Sequence, residues 1–447
     1  MRLCAVSPSK QSHTLTESPP AEPCPLPVEL LQRILTLCHP RDVISFSKSC
    51  RLGYAIVFHP SDQYLWRDLF LSHPFDDPRK SSDDQNTDFQ FVDWMHEHIR
   101  RMEAEWIAYQ KGACVCQKAC ALKTFISVLH DASPAPGGRS SGNISWLEPI
   151  LRRSCILYDD NYTSDAQRML FAQLRSYAAL TFDNGVDYDA RLRLTERRKN
   201  SRCFVYDFRN YANKYWGPFR DDGSVDWIHI EHLINVVLLN IRDLPGSWKY
   251  ITPPLRLNAL RTYSAPSNRR SIRDWAGVEG IWQRYVCFMD FRDLFAFNYS
   301  GLSDGPGDPT FFECPRFREG TRLMELNLKL VSENELRHRW YAKGSSANDL
   351  YPPLCFSGST SCVKGSRAVV EGVVQMSADN IVRWQFVSTY PGDLQWRSDG
   401  AQVGNVGSAI GVVGVWATEL HDEGDPVGPF WLWKVKDDCP TRLMEYV

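Results

Sequence analysis

The sequence has no long uninterrupted apolar run and no excess of charge of one sign. Its most apolar segment, residues 228–241, contains two His, one Glu and two Asn, whereas a membrane-spanning helix needs about 18 or more apolar residues. We therefore expect no membrane partner. The 51 Lys and Arg nearly balance the 53 Asp and Glu, so the protein as a whole lacks the positive charge typical of nucleic-acid binding, and we expect no nucleic-acid partner.

Motifs for catalysis and for metal binding are also scarce. The chain has no His-Glu-x-x-His zinc-protease motif and no nucleotide-binding P-loop. Cys114, Cys116 and Cys120 form a cluster, but a structural zinc site needs a fourth ligand and usually a wider Cys spacing. We therefore expect that the protein is not an enzyme and that it uses no cofactor and no metal.

The N-terminus lacks the apolar core of a secretory signal. Residues 1–22 are rich in Ser and Pro, and we expect them to form a disordered tail. Fourteen Cys without a secretory signal indicate reduced thiols rather than a disulfide framework. The expected location is therefore the cytoplasm, the nucleus or both.

Length and composition predict several folded parts. The 447 residues, of which 43% are hydrophobic, are enough for about three units of ordinary domain size. Helical spacing predicts a short helical block over residues 23–71 and a mostly helical middle region over 72–252. The clearest predicted helices of the middle region are residues 91–111, 119–130, 165–180 and 227–244.

The chain changes character after residue 253. Helical spacing disappears, and short β-branched and aromatic runs are separated by Gly, Asn, Asp and Pro. We predict strands at residues 280–289, 292–299, 322–331, 354–357, 368–376, 381–389, 394–398, 412–418 and 430–434. Antiparallel strands at hairpin spacing favour a meander that closes into a barrel over residues 253–447. The predicted fold class is α+β.

The helical block of residues 23–71 carries the most specific pattern in the chain. Pro27 suits the first position of a helix, where no backbone N–H partner is needed. So small and apolar a unit is expected to dock on something, either a partner or, as an amphipathic helical cap, the next domain of the chain. Its ordered motif residues are Leu26, Pro27, Leu30, Leu31, Ile34, Leu35, Asp42, Val43, Cys50, Arg51, Leu65 and Trp66.

This order of Leu-Pro, Asp-Val, Cys-Arg and Leu-Trp resembles the F-box family. The resemblance implies a three-helix unit that packs against the Skp-type adaptor of SCF ubiquitin ligases, and through it joins a cullin-RING ligase. It also implies that Leu26, Pro27, Leu30, Leu31, Ile34 and Leu35 form the first contact patch and that Asp42 and Val43 add to it. Cys50, Arg51, Leu65 and Trp66 would complete the fold and the edge of the interface.

The C-terminal region is rich in Trp and resembles the ends of fungal F-box proteins. Gly280-Ile281-Trp282 is similar to the Gly-x-Trp that opens lipocalin-like barrels. The Trp side chains could fill the barrel core, which we favour because aromatic residues supply much of a core's buried area. Alternatively, Trp and Arg could line a mouth that binds a peptide or a small molecule. The candidate substrate-binding residues are Trp282, Arg383, Trp384, Trp396 and Arg397.

Two functions remain open from the sequence. The first is a non-catalytic substrate receptor of an SCF-type ubiquitin ligase, which binds the Skp adaptor through the F-box and a protein substrate through the C-terminal region. The second is a barrel that binds a small ligand and whose F-box controls its turnover or location. The sequence does not identify the substrate.

Overall fold

The computed structural model describes residues 26–59, 62–80, 92–135, 140–159, 161–183, 187–212, 215–266, 273–299, 308–337, 350–363, 365, 367–391, 395–422 and 424–447. The predicted tail of residues 1–22 lies outside these ranges. The chain forms two compact units, Met1–Phe70 and Leu71–Val447. The predicted middle region and the barrel region thus belong to one unit.

The first unit is built from short helices. They are α1 (Val28–Leu35), α2 (Pro40–Ser47), α3 (Arg51–Phe58) and α4 (Tyr64–Ser72), whose last residues extend past the unit boundary. Pro27 is the N-cap of α1, one residue before the first helical position. His39 and Cys50 cap α2 and α3 by accepting backbone N–H bonds with their side chains, which satisfies donors that a helix leaves unpaired.

A small apolar core holds these helices together. Val43, Val57 and Leu65 are fully buried, and the Trp66 indole N–H donates to the carbonyl oxygen of Val57 over 2.8 Å. Gly53 allows α2 and α3 to approach, because a Cβ there would lie 2.8 Å from the carbonyl oxygen of Phe46. The core is closed by residues from all four helices.

The second unit begins with helices. They are α5 (Trp94–Tyr109), α6 (Val115–His130), α7 (Gly142–Arg153), α8 (Asp165–Ala178), α9 (Tyr188–Val205) and α10 (Trp227–Asp243), and they include the four helices predicted for this region. α10 lies against α8 and α9, and Asp226 caps it as its side chain accepts the N–H of His229 over 3.0 Å. No helix in the described part of the chain is long and apolar enough to cross a bilayer.

Nine strands follow in the described ranges. They are β1 (Gly280–Met289), β2 (Glu319–Leu330), β3 (Leu354–Ser361), β4 (Arg367–Met376), β5 (Val382–Thr389), β6 (Gln395–Gln402), β7 (Val412–Thr418), β8 (Gly428–Lys434) and β9 (Met444–Tyr446). Each of β1 to β7 pairs antiparallel with the next strand, and β8 pairs antiparallel with β1. The predicted α+β class with a closed antiparallel meander barrel is therefore confirmed. β9 pairs with β2.

One strand predicted after residue 253 is wrong. Residues 292–299 belong to a helix, α11 (Phe291–Tyr299). Asp290 begins it by accepting the N–H of Arg292 over 2.8 Å, and Leu294, Phe297 and Asn298 are buried at helical spacing. Aromatic residues on the exposed face of α11 conceal this spacing in the sequence.

Side chains of even number face the barrel interior in β1 to β8. The interior cluster includes Trp282, Leu328, Phe356, Trp384 and Leu432, as expected from the two-residue period of a strand. At one end of the barrel, Trp275 and Val278 join this cluster. The Trp275 indole N–H donates to the carbonyl oxygen of Pro352 over 2.7 Å. Apolar side chains therefore fill this end, which we call the filled end.

Interior glycines give these large side chains room. A Cβ on Gly400 would lie 2.8 Å from the carbonyl oxygen of Val413 and 2.9 Å from the ring of Phe430. Overpacking a core typically costs about 1–3 kcal/mol. We predict that Gly400→Ala lowers the free energy of unfolding in urea by about that amount, while Gly112→Ala, where a Cβ meets nothing within 4 Å, does not lower it. Equal stability of the two variants would contradict this packing.

Candidate functional site

The first unit exposes apolar side chains along α1. Leu30 and Ile34 are 52% and 49% exposed, and Leu37, just beyond the helix, is 79% exposed. Their spacing of four and three residues places them on one side of a helix. Leu26, before the N-cap, is 41% exposed. We call Leu26, Leu30, Ile34 and Leu37 the outer stripe. Exposed apolar groups arranged in this way are typical of protein interaction sites.

The predicted adaptor-binding residues divide into an exposed and a buried set. Pro27, Asp42, Cys50 and Arg51 are exposed together with Leu26, Leu30 and Ile34, and Leu31 is half-buried. The buried set cannot contact a partner directly and instead packs the core from which the outer stripe projects. It consists of Leu35, Val43, Leu65 and Trp66.

Sequence reasoning missed several exposed apolar residues of this unit. They are Val28 and Leu37 beside the predicted patch and Leu52 and Tyr54 on α3. Leu37 could have been found, because it continues the spacing of Leu30 and Ile34. Leu52 and Tyr54 give no such signal, since an eight-residue helix has too few turns to separate its faces by sequence.

The other candidate site is a cavity of ≈ 370 Å³ within the barrel, at the end opposite the filled end. Its lining is mostly apolar, and it also contains two arginines, a serine and a tyrosine. Trp396 and Trp416 form an edge-to-face pair in its wall, with ring centroids 5.3 Å apart. The lining residues are Arg284, Val286, Phe288, Met289, Arg322, Met324, Cys362, Ser388, Tyr390, Trp396 and Trp416.

The structure places the five predicted substrate-binding residues in three different environments. Trp282 and Trp384 belong to the filled interior, with ring centroids 5.0 Å apart. Trp396 lines the cavity. Arg383 and Arg397 have odd numbers and lie on the outer wall, so the structure does not bring the five together. The core-filling prediction thus holds for Trp282 and Trp384, whereas Trp396 faces open space in the interior.

On the outer wall, Arg383 and Arg397 surround a fully buried carboxylate. Asp399 lies 3.1 Å from the Arg383 guanidinium and 2.7 Å from that of Arg397, and the Gln385 amide donates to it over 2.6 Å. Burial raises the pKa of Asp399, but the charges of Arg397 and Arg383 outweigh it, so this pKa lies below that of an ordinary carboxyl group. The carboxylate is therefore charged at neutral pH.

This cluster attaches residues 215–219, which precede the barrel in the sequence, to the barrel wall. The Arg383 guanidinium lies 3.9 Å from the ring centroid of Phe219 and donates to the carbonyl oxygen of Tyr215 over 3.2 Å. These contacts of Arg383 connect residues 215–219 to strand β5.

Sequence reasoning missed most of the cavity residues, and Arg284 above all. A usable signal exists, because Arg284 lies between Trp282 and Val286 in a two-residue period whose other members are apolar. The other cavity residues give no such signal. Alternation shows which side chains point inward, but it does not show where along the barrel axis the interior is left open.

No group of three or more His, Cys, Asp or Glu that could hold a metal occurs among the residues that the structure describes. Comparisons of the chain with protein-family models, with curated proteins and with solved structures found no match.

Proposed function

We propose that this protein is a substrate-receptor subunit of an SCF-type ubiquitin ligase. In this proposal the outer stripe binds a Skp-type adaptor, and through it a cullin-RING ligase, in the cytoplasm, the nucleus or both. The second unit recruits a protein substrate. The chain performs no chemistry itself in this proposal. It promotes ubiquitin transfer by holding the substrate near the ligase, which raises the effective concentration of the substrate there.

The exposed outer stripe is the observation that carries this proposal. The first unit already has a closed core in Val43, Val57 and Leu65, so Leu30 and Ile34 are not needed to fill it. Leaving large apolar side chains in water forgoes about 1.5–3 kcal/mol for each side chain that could be buried. A partner that covers the stripe recovers this energy, and the F-box-like order of motif residues favours a Skp-type adaptor as that partner.

A second candidate function is supported by the cavity. A space of ≈ 370 Å³ is within the range of small-molecule sites, about 300–1,000 Å³. Under this proposal the barrel binds a small ligand, and the first unit controls the turnover or location of the protein. Native mass spectrometry of the purified full chain tests it, since a retained ligand adds a discrete mass that disappears on denaturation.

The receptor function is tested by trapping substrates after proteasome inhibition. We expect the tagged full chain to retain a reproducible set of partners that carry ubiquitin. A chain in which Leu30 and Ile34 are both changed to Glu should retain the same partners without the added ubiquitin, because its second unit is unaltered. Equal ubiquitylation of the partners with both chains would contradict the proposal.

A further inference from the structure

Arg284 is a buried cation in the wall of the barrel cavity. Its side chain lies on β1 at an interior position and is 5% exposed. One guanidinium N–H donates to the Ser398 hydroxyl over 2.7 Å, and the guanidinium carbon lies 4.5 Å and 5.0 Å from the ring centroids of Phe430 and Phe386. These contacts are to neutral groups.

No carboxylate forms an ion pair with Arg284 among the described residues, and its Nε has no hydrogen-bond partner there. Two other arginines of the second unit do pair with a carboxylate. The buried Arg383 pairs with Asp399 over 3.1 Å, and the half-buried Arg202 pairs with Glu319 over 2.7 Å. A buried charge is costly unless it is paired. A bound anion beside Arg284 would therefore be stabilised by this guanidinium.

The second arginine of the cavity has its own counter-ion. Arg322 lies on β2 and pairs with Glu445 of β9 over 3.0 Å. The two charges of that pair cancel, and Arg284 supplies the remaining positive charge. Burial lowers the pKa of Arg284 to about 10, which leaves the guanidinium protonated at neutral pH. The cavity therefore carries a single net positive charge.

The rest of the lining matches an apolar molecule. Met324, Phe288 and the edge-to-face pair of Trp396 and Trp416 provide large apolar surfaces. The Trp416 indole N–H donates to the carbonyl oxygen of Cys287 over 3.1 Å, which fixes the orientation of its ring. Ser388 adds a hydroxyl oxygen that has no hydrogen-bond partner in the described part of the chain.

We propose that the cavity binds an apolar small molecule that carries one carboxylate, with the carboxylate paired to Arg284 and the apolar part against Trp396 and Trp416. The fork of guanidinium N–H donors matches the two oxygens of a carboxylate. A dianion such as a phosphate monoester would leave one charge uncompensated beside a single unpaired cation. This inference rests on the second candidate function and is independent of adaptor binding.

Calorimetric titration of the full chain with matched acids and amides tests the inference. The probes are decanoate and 2-naphthylacetate, each compared with its primary amide, which has nearly the same shape and no charge. We expect each acid to bind at least about tenfold more tightly than its amide, a ratio that corresponds to a charge-assisted hydrogen bond in a buried site.

Arg284→Met should remove this preference. Acid affinity should fall to that of the amide, at least about tenfold, while amide affinity should stay unchanged. Arg316→Met is the matched control, because Arg316 is exposed and does not line the cavity, and it should keep the preference. Far-ultraviolet circular dichroism reports whether each variant is folded, and the acid–amide comparison on the unchanged chain decides the question if Arg284→Met does not fold.

The possible results distinguish ligand binding by the barrel from the preference of the cavity for an anion. If amides bind as tightly as acids, the barrel binds ligands but the anion inference is wrong. If no probe binds at concentrations up to about 1 mM, which corresponds to about −4.1 kcal/mol, both the inference and the ligand-binding function are contradicted. A folded Arg284→Met chain that still prefers acids would also overturn the role of Arg284.

Discussion

Changing Leu30 and Ile34 together to Glu should abolish capture of a Skp-type adaptor by the full chain. Both side chains are about half exposed, so the substitutions place their charges in water and leave the folded first unit intact. In the complex the same carboxylates would be buried without partners, which is strongly unfavourable. Burying an unpaired charge costs several kcal/mol, about 2 kcal/mol or more, so we expect affinity to fall more than about 100-fold.

A matched control comes from the other unit. Val363 and Leu420 are also exposed apolar residues, at 49% and 78%, and changing both to Glu makes the same chemical alteration away from the outer stripe. This control should capture the adaptor as well as the unchanged chain does. Immunoblotting of captured adaptor, with circular dichroism of each chain, measures the effect. Undiminished capture by the Leu30 and Ile34 variant would show that the stripe is not the adaptor surface.

The largest expected effect on stability is at the buried carboxylate of the outer wall. Asp399→Asn keeps the shape of the side chain but leaves Arg383 and Arg397 without their counter-charge. Removing one partner from a buried ionic cluster typically costs about 3–5 kcal/mol. We expect a loss of that size in the free energy of unfolding, measured by urea denaturation with Trp fluorescence.

Asp165 provides the control for this prediction. It also contacts two arginines, Arg220 over 2.6 Å and Arg168 over 3.6 Å, but its side chain is 50% exposed. Exposed ion pairs contribute about 0–1 kcal/mol, so Asp165→Asn should have a correspondingly small effect. Losses of equal size in the two variants would contradict the assignment of the Asp399 cluster as the attachment of residues 215–219 to the barrel.

Much of the fold follows from the period of the apolar residues. The two-residue alternation of Val370, Val374 and their neighbours predicts strands that close into a barrel, and the structure confirms this. The same reasoning fails at Phe291–Tyr299, where aromatic residues on both faces conceal a helical period. β9 was missed because three residues, Met444–Tyr446, are too few to show a period.

The candidate sites are less predictable than the fold. Leu30 and Leu35 look alike in the sequence, yet one is 52% and the other 5% exposed, because the packing of α1 decides which side chains face inward. In the barrel, alternation predicts that Trp384 and Trp396 both point inward. Whether each fills the interior or lines a cavity depends on neighbours distant in the sequence, such as Trp282 beside Trp384.

Direct binding of the purified full chain to a purified Skp-type adaptor tests the central claim. Isothermal titration calorimetry should show one adaptor bound per chain with a Kd of about 1 μM or below, as expected for a specific interface with an apolar centre. The chain with Leu30→Glu and Ile34→Glu should give no measurable heat of binding under the same conditions. Absence of binding by the unchanged, folded chain would contradict its assignment as a ubiquitin-ligase subunit.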